Sequence, residues 1–279
     1  MHYIYKNLIL PQFMTKTPYN FKDVTLLVTH YNRSTSLEKL LEGFVAINCQ
    51  FEDIVVSDDG SKPEQLTYVK QLQNSYGFRL ITTPVNKGLG NNINKGQDSV
   101  NTTFTLYIQE DFVPKDTFPE HFFDAITIMR EDPKWDMVTL YSYSPYPYLK
   151  PFKLGFSEKL FHLSPFYTNN LKFYLYGDHP HLRKSSFLKD FGRYKEGLNG
   201  DVTEMEMSLA FIKNKGKCLF YDDHYGLLTQ ENSAEEPSTA LFRKSWKNTN
   251  SVPMVFAKWC YAKVKFLKLN YRLLTKKVD

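Results

Sequence analysis

Two acidic segments of this chain follow apolar runs that are typical of buried strands. The first segment reads Ser-Asp-Asp-Gly-Ser at 57–61, and the second reads Gln-Glu-Asp at 109–111. An open α/β sheet binds its ligands beyond the carboxyl ends of its strands, so carboxylates at these ends face a ligand site. An Asn- and Gly-rich loop at 86–91 lies between the two segments. The combination indicates a site for a phosphate-bearing ligand that is bound together with a metal ion.

The loop between the two segments carries residue types that can approach a phosphate. Gly88 and Gly90 lack side chains, so the backbone can come close to a phosphate or a sugar, and Lys87 adds a positive charge. The same residues also suit a plain loop that leads into a helix. Arg33, after the first strand, is either a further contact to the ligand or a surface charge.

The spacing of the apolar runs predicts the elements that position these residues. Strands are expected at 24–29, 53–57, 78–82 and 104–108. Helices are expected at 37–44, at 63–75 and from the end of the loop at 91 to about 99. This alternation predicts an α/β fold with a mostly parallel sheet and helices on both faces. The second half is less regular. It predicts helices at 118–130 and 201–215, strands at 135–141, 182–185 and 217–221, and a long loop at 142–170.

Composition limits the class of protein. The chain has 279 residues, of which 42% are hydrophobic and 23% charged, as in globular proteins with a sizeable core. Its cysteines, Cys49, Cys218 and Cys260, lie far apart and favour a reducing compartment over a disulfide framework or a zinc site. The N-terminus lacks a secretory signal pattern, and no apolar run approaches the roughly 18 residues of a membrane span. We therefore expect a cytoplasmic protein.

Positive charge is concentrated at the C-terminus. The net charge is +5, yet residues 241–279 contain ten basic residues and one acid, so the remainder is mildly acidic. Residues 254–278 fit a basic amphipathic helix. The predicted apolar face comprises Phe256, Trp259, Cys260, Phe266, Leu267, Tyr271 and Leu274, and the basic face comprises Lys258, Lys265, Lys268, Arg272 and Lys276.

Such a helix either lies in a membrane interface or docks on the core of its own protein. We expect peripheral contact with the inner face of the cytoplasmic membrane through 254–279. No nucleic-acid motif accompanies the charge, so nucleic acid is not an expected partner.

Four motifs in order resemble the family-2 inverting glycosyltransferases of the bacterial surface-polysaccharide type. They read Val-Thr-His-Tyr-Asn-Arg at 28–33, Ser-Asp-Asp-Gly-Ser at 57–61, Asn-Lys-Gly-Leu-Gly at 86–90 with Asn-Lys-Gly at 94–96, and Gln-Glu-Asp at 109–111. The resemblance covers 23–230 and implies the glycosyltransferase-A fold, a nucleotide-sugar donor (most often a UDP-sugar) and a divalent metal. It further implies inversion at the anomeric carbon and a glycan or lipid-linked oligosaccharide acceptor.

The predicted organisation follows from this resemblance and from the basic tail. It comprises an N-terminal extension at 1–22, a nucleotide-sugar-binding half at 23–115, an acceptor-binding half at 116–235 and the tail at 236–279. The residues that the resemblance assigns to the nucleotide are Thr29, Tyr31, Arg33, Asp58, Asp59, Lys87, Gly88 and Glu110. Asp58 equally suits a cap of the turn that follows it. Ile93 stands where the family often has an Arg, and Lys87 is the expected substitute.

A metal site is expected at Asp111. The transferred sugar leaves a nucleoside diphosphate, and Mg²⁺ or Mn²⁺ held by carboxylates neutralises the charge that develops on it. The family usually has Asp-x-Asp here, whereas Gln109 offers only a neutral carbonyl. His224 is the expected further ligand, or else a structural residue or an acceptor contact.

An inverting transfer needs a general base to take the proton of the acceptor hydroxyl. The family places it at the start of a helix in the second half, where this chain reads Asp-Val-Thr-Glu-Met-Glu at 201–206. Alignment from Gly216 favours Glu204, followed by Glu206 and Asp201. All three also suit the favourable placement of acids at a helix N-terminus. On the acceptor side, the resemblance assigns His179, His181 and Arg183.

Two other classes of protein stay open. The first is a catalytically silent binding protein of the same fold. Gln109 favours it, as does Glu204, which lacks the acidic neighbour of the Glu-Asp pair that the family usually has at its base. The second is a sugar nucleotidyltransferase, which usually has a Gly-rich, Arg-containing loop after its first strand. This chain has His-Tyr-Asn-Arg at 30–33 instead.

Overall fold

A central sheet and the helices packed on it account for most of the computed structural model, which describes residues 18–164, 166–231 and 252–275. The strands are β1 (Tyr19–His30), β2 (Cys49–Asp58), β3 (Arg79–Thr82), β4 (Phe104–Gln109), β5 (Phe112–Pro114), β6 (Met137–Thr139), β7 (Leu149–Lys153), β8 (Phe156–Lys159), β9 (His181–Lys184), β10 (Cys218–Tyr221) and β11 (Leu228–Gln230). The helices are α1 (Ser34–Ala46), α2 (Pro63–Tyr76), α3 (Leu89–Gln97), α4 (Phe118–Glu131), α5 (Phe187–Phe191), α6 (Gly200–Lys213) and α7 (Val252–Thr275), with a 3₁₀ turn at Asn170–Phe173.

The main sheet has nine strands in the order β3-β2-β1-β4-β9-β6-β10-β8-β7. Strand β1 pairs in parallel with β2 and β4, and β2 pairs in parallel with β3. Strands β9 and β8 run opposite to the others. Strands β5 and β11 form a separate antiparallel pair. The predicted mostly parallel sheet is therefore confirmed.

The central strands are buried on both faces, which is why they read as nearly continuous apolar runs. In β1, Leu26 and Val28 pack in one core with side chains of α1, α2 and α4. Leu27 points to the opposite core, with Ile93 of α3 and Phe211 of α6. Helices thus cover both faces, as the sequence predicts.

The parallel strands end at one edge of the sheet and bring the two acidic segments together. His30 lies opposite Asp58, and Thr29 lies opposite both Ser57 and Gln109. Helix α3 packs closely beside this edge because Gly96 has no side chain: a Cβ there would lie 2.6 Å from Leu27 Cδ1. The strand ends from which the sequence predicts a ligand site therefore lie side by side along one edge of the sheet.

The start of β1 and the segment 142–170 differ from the sequence prediction, and the short elements β5, β11 and α5 were not predicted. Strand β1 begins at Tyr19, within the segment predicted to be irregular, because a register shift between Phe21 and Thr25 interrupts its alternation. The segment predicted as a loop at 142–170 contains the hairpin β7–β8. Strand β7 is mostly exposed at the sheet edge and contains Pro151, a residue that edge strands tolerate, so it shows no apolar period.

Helix α7 docks through one side and exposes another. Leu269 is buried against Phe173, Met205 and Leu209, with Phe266 packed beside it. The predicted apolar face is therefore divided, because Phe266 faces the protein whereas Leu267, Tyr271 and Leu274 are each about two-thirds exposed. None of the helices within the described ranges is long and apolar enough to cross a membrane. The predicted contributions of the Phe256 side chain and of Lys276 lie outside the described residues. So do residues 1–17 of the N-terminal extension and residues 236–251 of the tail.

Candidate active site

Asp58 and His30 form a buried pair at the ends of β2 and β1. His30 Nδ1 lies 2.8 Å from Asp58 Oδ1, and the amide of Arg33 donates to His30 Nε2 at 3.2 Å, so Nδ1 is the nitrogen that donates to Asp58. Asp58 Oδ2 accepts the amides of Gly60 and Ser61 at 3.1 Å. Burial alone would raise the pKa of Asp58, but the hydrogen bonds from His30 and Ser61 lower it well below the usual carboxyl range. Asp58 therefore organises the turn, which is the second role that the sequence allows for it.

Asp59 fixes the glycine-containing loop. Its two carboxylate oxygens accept the amides of Lys87 and Gly88 at 2.9 and 2.8 Å. Gly88 has a φ of +87°, a backbone conformation that favours glycine, just before α3 begins. Burial raises the pKa of Asp59, and the two amide hydrogen bonds oppose that rise. The Lys87 side chain is exposed beside this loop.

Asp111 lies at the centre of the edge and is 3% exposed. Its Oδ2 is 3.0 Å from Arg33 Nη1 and accepts the side-chain amide of Gln230 at 2.9 Å. The same Nη1 is 3.6 Å from a carboxylate oxygen of Glu110. Asp111 Oδ1 is buried and has no hydrogen-bond partner among the residues that the structure describes. A buried carboxylate oxygen without a donor suits a hard divalent cation, so Asp111 fits the metal that the sequence predicts there.

Three further residues stand at or just after the ends of β1 and β4. Thr29 is buried, and its hydroxyl lies 3.2 Å from the Tyr107 hydroxyl. Tyr31 is partly buried in the loop after β1. Gln109 Nε2 donates to the backbone oxygen of Asp178 at 3.4 Å, which connects the end of β4 to the second half of the chain.

A second acidic cluster consists of Asp178, His179 and Glu204, whose ligand atoms all lie within 4.8 Å of one another. Glu204 Oε1 accepts the amide of Asp178 at 3.2 Å. Burial and the neighbouring Asp178 raise the pKa of Glu204 well above its usual value, and burial also raises the pKa of Asp178. Burial lowers the pKa of His179, against the effect of Asp178. The state in which Asp178 and Glu204 share one proton is therefore favoured over the state in which both are ionised.

The three candidate bases lie in different surroundings on α6. Glu204 is in the acidic cluster. Glu206 faces α7 and forms an ion pair with Arg272 of that helix. It also lies 3.5 Å from Lys195, in the loop before α6. Asp201 is exposed in the first turn of the helix, where its charge further raises the pKa of Glu204. Of these three acids, only Glu204 is a member of the cluster.

An aromatic side chain connects the acidic cluster to Asp111. The hydroxyl of Tyr143 donates to Gln230, whose amide nitrogen in turn donates to Asp111. The Tyr143 ring lies edge-on to His179 with 4.6 Å between the ring centres. The two acidic groups therefore belong to one site.

Two residues predicted to contact the acceptor lie in the interior instead. Arg183 is fully buried, with Nη2 2.7 Å from Gln97 Oε1 and a further bond to the Tyr194 hydroxyl. His181 is also fully buried, and its Nδ1 is 2.7 Å from the His179 backbone oxygen. Neither side chain has surface that an acceptor could contact. His179 alone of the predicted acceptor residues borders the site.

His224 is partly buried beyond β10. Its ring packs on Tyr225 with 4.4 Å between centres, and its backbone oxygen accepts the amide of Ser142 at 3.3 Å. Among the described residues, His224 is not part of the Asp178, His179 and Glu204 group, whose ligand atoms lie close together. A role for His224 at the metal stays a prediction.

Several residues of this site are absent from the sequence prediction, among them Asp178, Gln230, Lys95 and Tyr143. Asp178 and Gln230 reach the site only through tertiary contacts. Lys95, whose ammonium group donates to the Asp58 backbone oxygen, lies in the Asn-Lys-Gly motif at 94–96, which was the available signal. Burial lowers the pKa of Lys95, against the nearby charge of Asp59.

The sequence matches the model of the family described as Glycosyl transferase family 2 over residues 25–188, more than half of the chain. It is similar to the poly-beta-1,6-N-acetyl-D-glucosamine synthase of Staphylococcus epidermidis, with 22% identity over 116 residues. The same synthase of Staphylococcus aureus strain COL matches equally well. The match covers 42% of this chain and only 27% of the length of each synthase.

Solved structures share the fold. S. aureus TarS 1-349 in complex with UDP-GlcNAc matches with a TM-score of 0.56 and 16% identity. The mannosyltransferase PcManGT from Pyrobaculum calidifontis, in complex with GDP-Man and Mn²⁺, matches with a TM-score of 0.52 and 12% identity. Each alignment covers 92% of this chain and 76% of the other. The predicted glycosyltransferase-A fold is confirmed.

Proposed function

The chain belongs to glycosyl transferase family 2, and we propose that it is a glycosyltransferase that moves a sugar from a UDP-sugar to a glycan or lipid-linked oligosaccharide, with inversion at the anomeric carbon. The observation that carries this proposal is the buried Oδ1 of Asp111 at the carboxyl edge of the sheet, which has no hydrogen-bond partner within the described part of the chain. The UDP-GlcNAc bound to TarS and the synthesis named for the curated relatives support a UDP-sugar donor and a polysaccharide product.

The donor lies, in this proposal, along the carboxyl edge of β1, β2 and β4. The loop that Asp59 holds supplies backbone at Gly88 and the Lys87 ammonium group to the donor, and Arg33 supplies a guanidinium that matches phosphate geometry. Asp111, supported by Glu110, would hold Mn²⁺ or Mg²⁺, with His224 as the proposed further ligand. The cation would neutralise the charge on the diphosphate leaving group.

The general base is proposed to be the Asp178–Glu204 pair, in which the sequence identifies only Glu204. The acceptor oxygen forms a bond to the anomeric carbon, the bond from that carbon to the diphosphate breaks, and the acceptor proton moves to the ionised carboxylate of the pair. A raised pKa suits a base that works near neutral pH. His179 and Tyr143, between this pair and Asp111, border the space for the acceptor.

The donor is tested by thermal denaturation with UDP-, GDP-, dTDP- and CMP-sugars, with and without Mn²⁺. A ligand that binds the native state raises the melting temperature. We expect a metal-dependent rise with a UDP-sugar that Asp111→Asn abolishes, and transfer activity with the same donor. A folded protein that shows no shift and no transfer with any donor would contradict the proposal.

Peripheral contact with an anionic membrane is proposed for the outward side of α7. Val264, Leu267, Tyr271 and Leu274 are all more than 60% exposed and lie on one side of the helix, with Lys263 and Lys268 at its borders. Such a surface inserts apolar side chains while lysines meet anionic headgroups, at about 1 kcal/mol per basic residue. A lipid-linked acceptor would then lie within reach of the site. By contrast, Lys265 and Arg272 contact Tyr174 and Glu206 of the protein itself.

Point substitutions test this contact better than deletion of the helix, since deletion would uncover the core beneath Leu269. Leu267→Glu with Tyr271→Glu should abolish pelleting with phosphatidylglycerol vesicles and leave UDP binding unchanged. Val45→Glu, at an equally exposed valine on α1, is the matched control. Equal pelleting of all three proteins would rule out this membrane contact.

A further inference from the structure

Arg33 forms an ion pair with the residues assigned to the metal. Its Nη1 lies 3.0 Å from Asp111 Oδ2 and 3.6 Å from Glu110 Oε1, and all three side chains are at most 10% exposed. A guanidinium is always charged in proteins, so it lowers the electrostatic attraction of this site for a divalent cation. A cation at Asp111 Oδ1 would share the same carboxylate with Arg33.

The backbone of Arg33 is fixed, whereas its side chain is long. Its amide donates to His30 Nε2, and His30 is held by Asp58. Its backbone oxygen accepts the amide of Leu37 at 3.0 Å in the first turn of α1. Only rotation of the side chain can therefore separate the guanidinium from Asp111.

We infer that Arg33 is a positioning residue that acts as an exchangeable counter-ion. Before the donor binds, its guanidinium neutralises Asp111 and Glu110. When a divalent cation takes its place, the guanidinium turns to the donor diphosphate. This inference rests on the proposed function, because it requires a diphosphate and a metal at Asp111. The diphosphate supplies the bidentate anionic partner that Arg33 loses. Metal alone therefore binds weakly, and metal and nucleotide strengthen the binding of each other by the same factor.

The test measures Mn²⁺ binding by electron paramagnetic resonance titration of the full chain, with and without UDP. Arg33→Gln should bind Mn²⁺ alone about tenfold more tightly than the native protein, within the range typical of coupled sites. The factor by which UDP improves Mn²⁺ binding should shrink correspondingly. Arg33→Lys keeps the positive charge but loses the paired N–H donors of the guanidinium. Its Mn²⁺ affinity should lie between those of the native protein and Arg33→Gln. Arg193→Gln, which removes an exposed arginine paired with Asp98, is the matched control and should change nothing.

Unchanged or weaker Mn²⁺ binding by folded Arg33→Gln would overturn the inference while leaving the proposed function intact. If Arg33→Gln does not fold, Arg33→Lys decides, and native-like metal affinity in that variant overturns the inference. A native protein that binds neither Mn²⁺ nor UDP would refute both the proposed function and the inference.

Discussion

Replacing Glu204 by Gln should stabilise the fold at alkaline pH while slowing the transfer reaction. Gln keeps the oxygen that accepts the Asp178 amide but carries no charge. Folding raises the pKa of both Glu204 and Asp178, so the native state keeps their protons to higher pH than the unfolded chain does. The native protein therefore loses stability as the pH rises through these raised pKa values. Because a Gln side chain cannot ionise, the variant loses less stability than the native protein as the pH rises.

The size of the effect follows from the distance between the carboxyl groups. The ligand atoms of Asp178 and Glu204 lie within 4.8 Å of each other, and two unit charges at about that separation repel by about 3.5 kcal/mol at an effective dielectric constant near 20. We expect the variant to exceed the native protein by up to about 3 kcal/mol in free energy of unfolding when both carboxyls are ionised. The difference should shrink as the pH falls below the raised pKa values, because both carboxyls then keep their protons in the native protein. Transfer should fall by roughly 10²- to 10⁴-fold, as expected for loss of general-base function.

Urea unfolding at about pH 5, 7 and 9 in the presence of EDTA measures this difference without a bound metal. Glu206→Gln is the control on the same helix. Because Glu206 pairs with Arg272 and Lys195, its replacement should destabilise the fold. A stability difference for Glu204→Gln that does not change with pH, or full transfer activity in that variant, would refute the reasoning.

Two further substitutions test the buried charges. Asp58→Asn should lower stability near neutral pH by about 2–3 kcal/mol through weaker hydrogen bonds to His30 and Ser61. Since folding lowers the pKa of Asp58, its contribution is lost as the pH falls through that value, and urea unfolding in acid should show the two proteins converging. Arg183→Lys should lower stability by about 3 kcal/mol or more, because a point charge cannot replace the fork between Gln97 and Tyr194. Its KM for the acceptor should stay native, and a raised KM with native stability would restore the acceptor role.

The parallel half of the fold could be predicted because its signals are local. A strand buried on both faces reads as an apolar run, and each helix follows from its own period. The hairpin β7–β8 could not be predicted in this way, since an exposed edge strand with Pro151 has no alternation. The start of β1 was missed because its bulge breaks the pattern after Phe21.

The site divides in the same manner. Arg33 and Asp111 could be found because they stand at the ends of predicted strands. Asp178 and Gln230 could not, since each reaches the site through a contact that is distant along the chain. Nor does the sequence indicate that Arg183 is enclosed by aromatic rings, which depends on side chains brought from β4, α5 and the loop before α6.

Strand β9 has a consequence for how the protein folds. It is only four residues long, yet it pairs with β4 on one side and with β6 on the other, and Lys184 lies opposite Phe104. Until the chain has grown beyond this segment, β4 is an open edge that can pair with another chain. Pairing β9 with β4 closes the stretch of chain between Gln109 and His181 and costs conformational entropy. Such non-local pairing is slow, so we expect the sheet to be completed late in folding. The first four strands and the strands that lie beyond β9 in the sheet order therefore belong to one sheet, and β9 joins them.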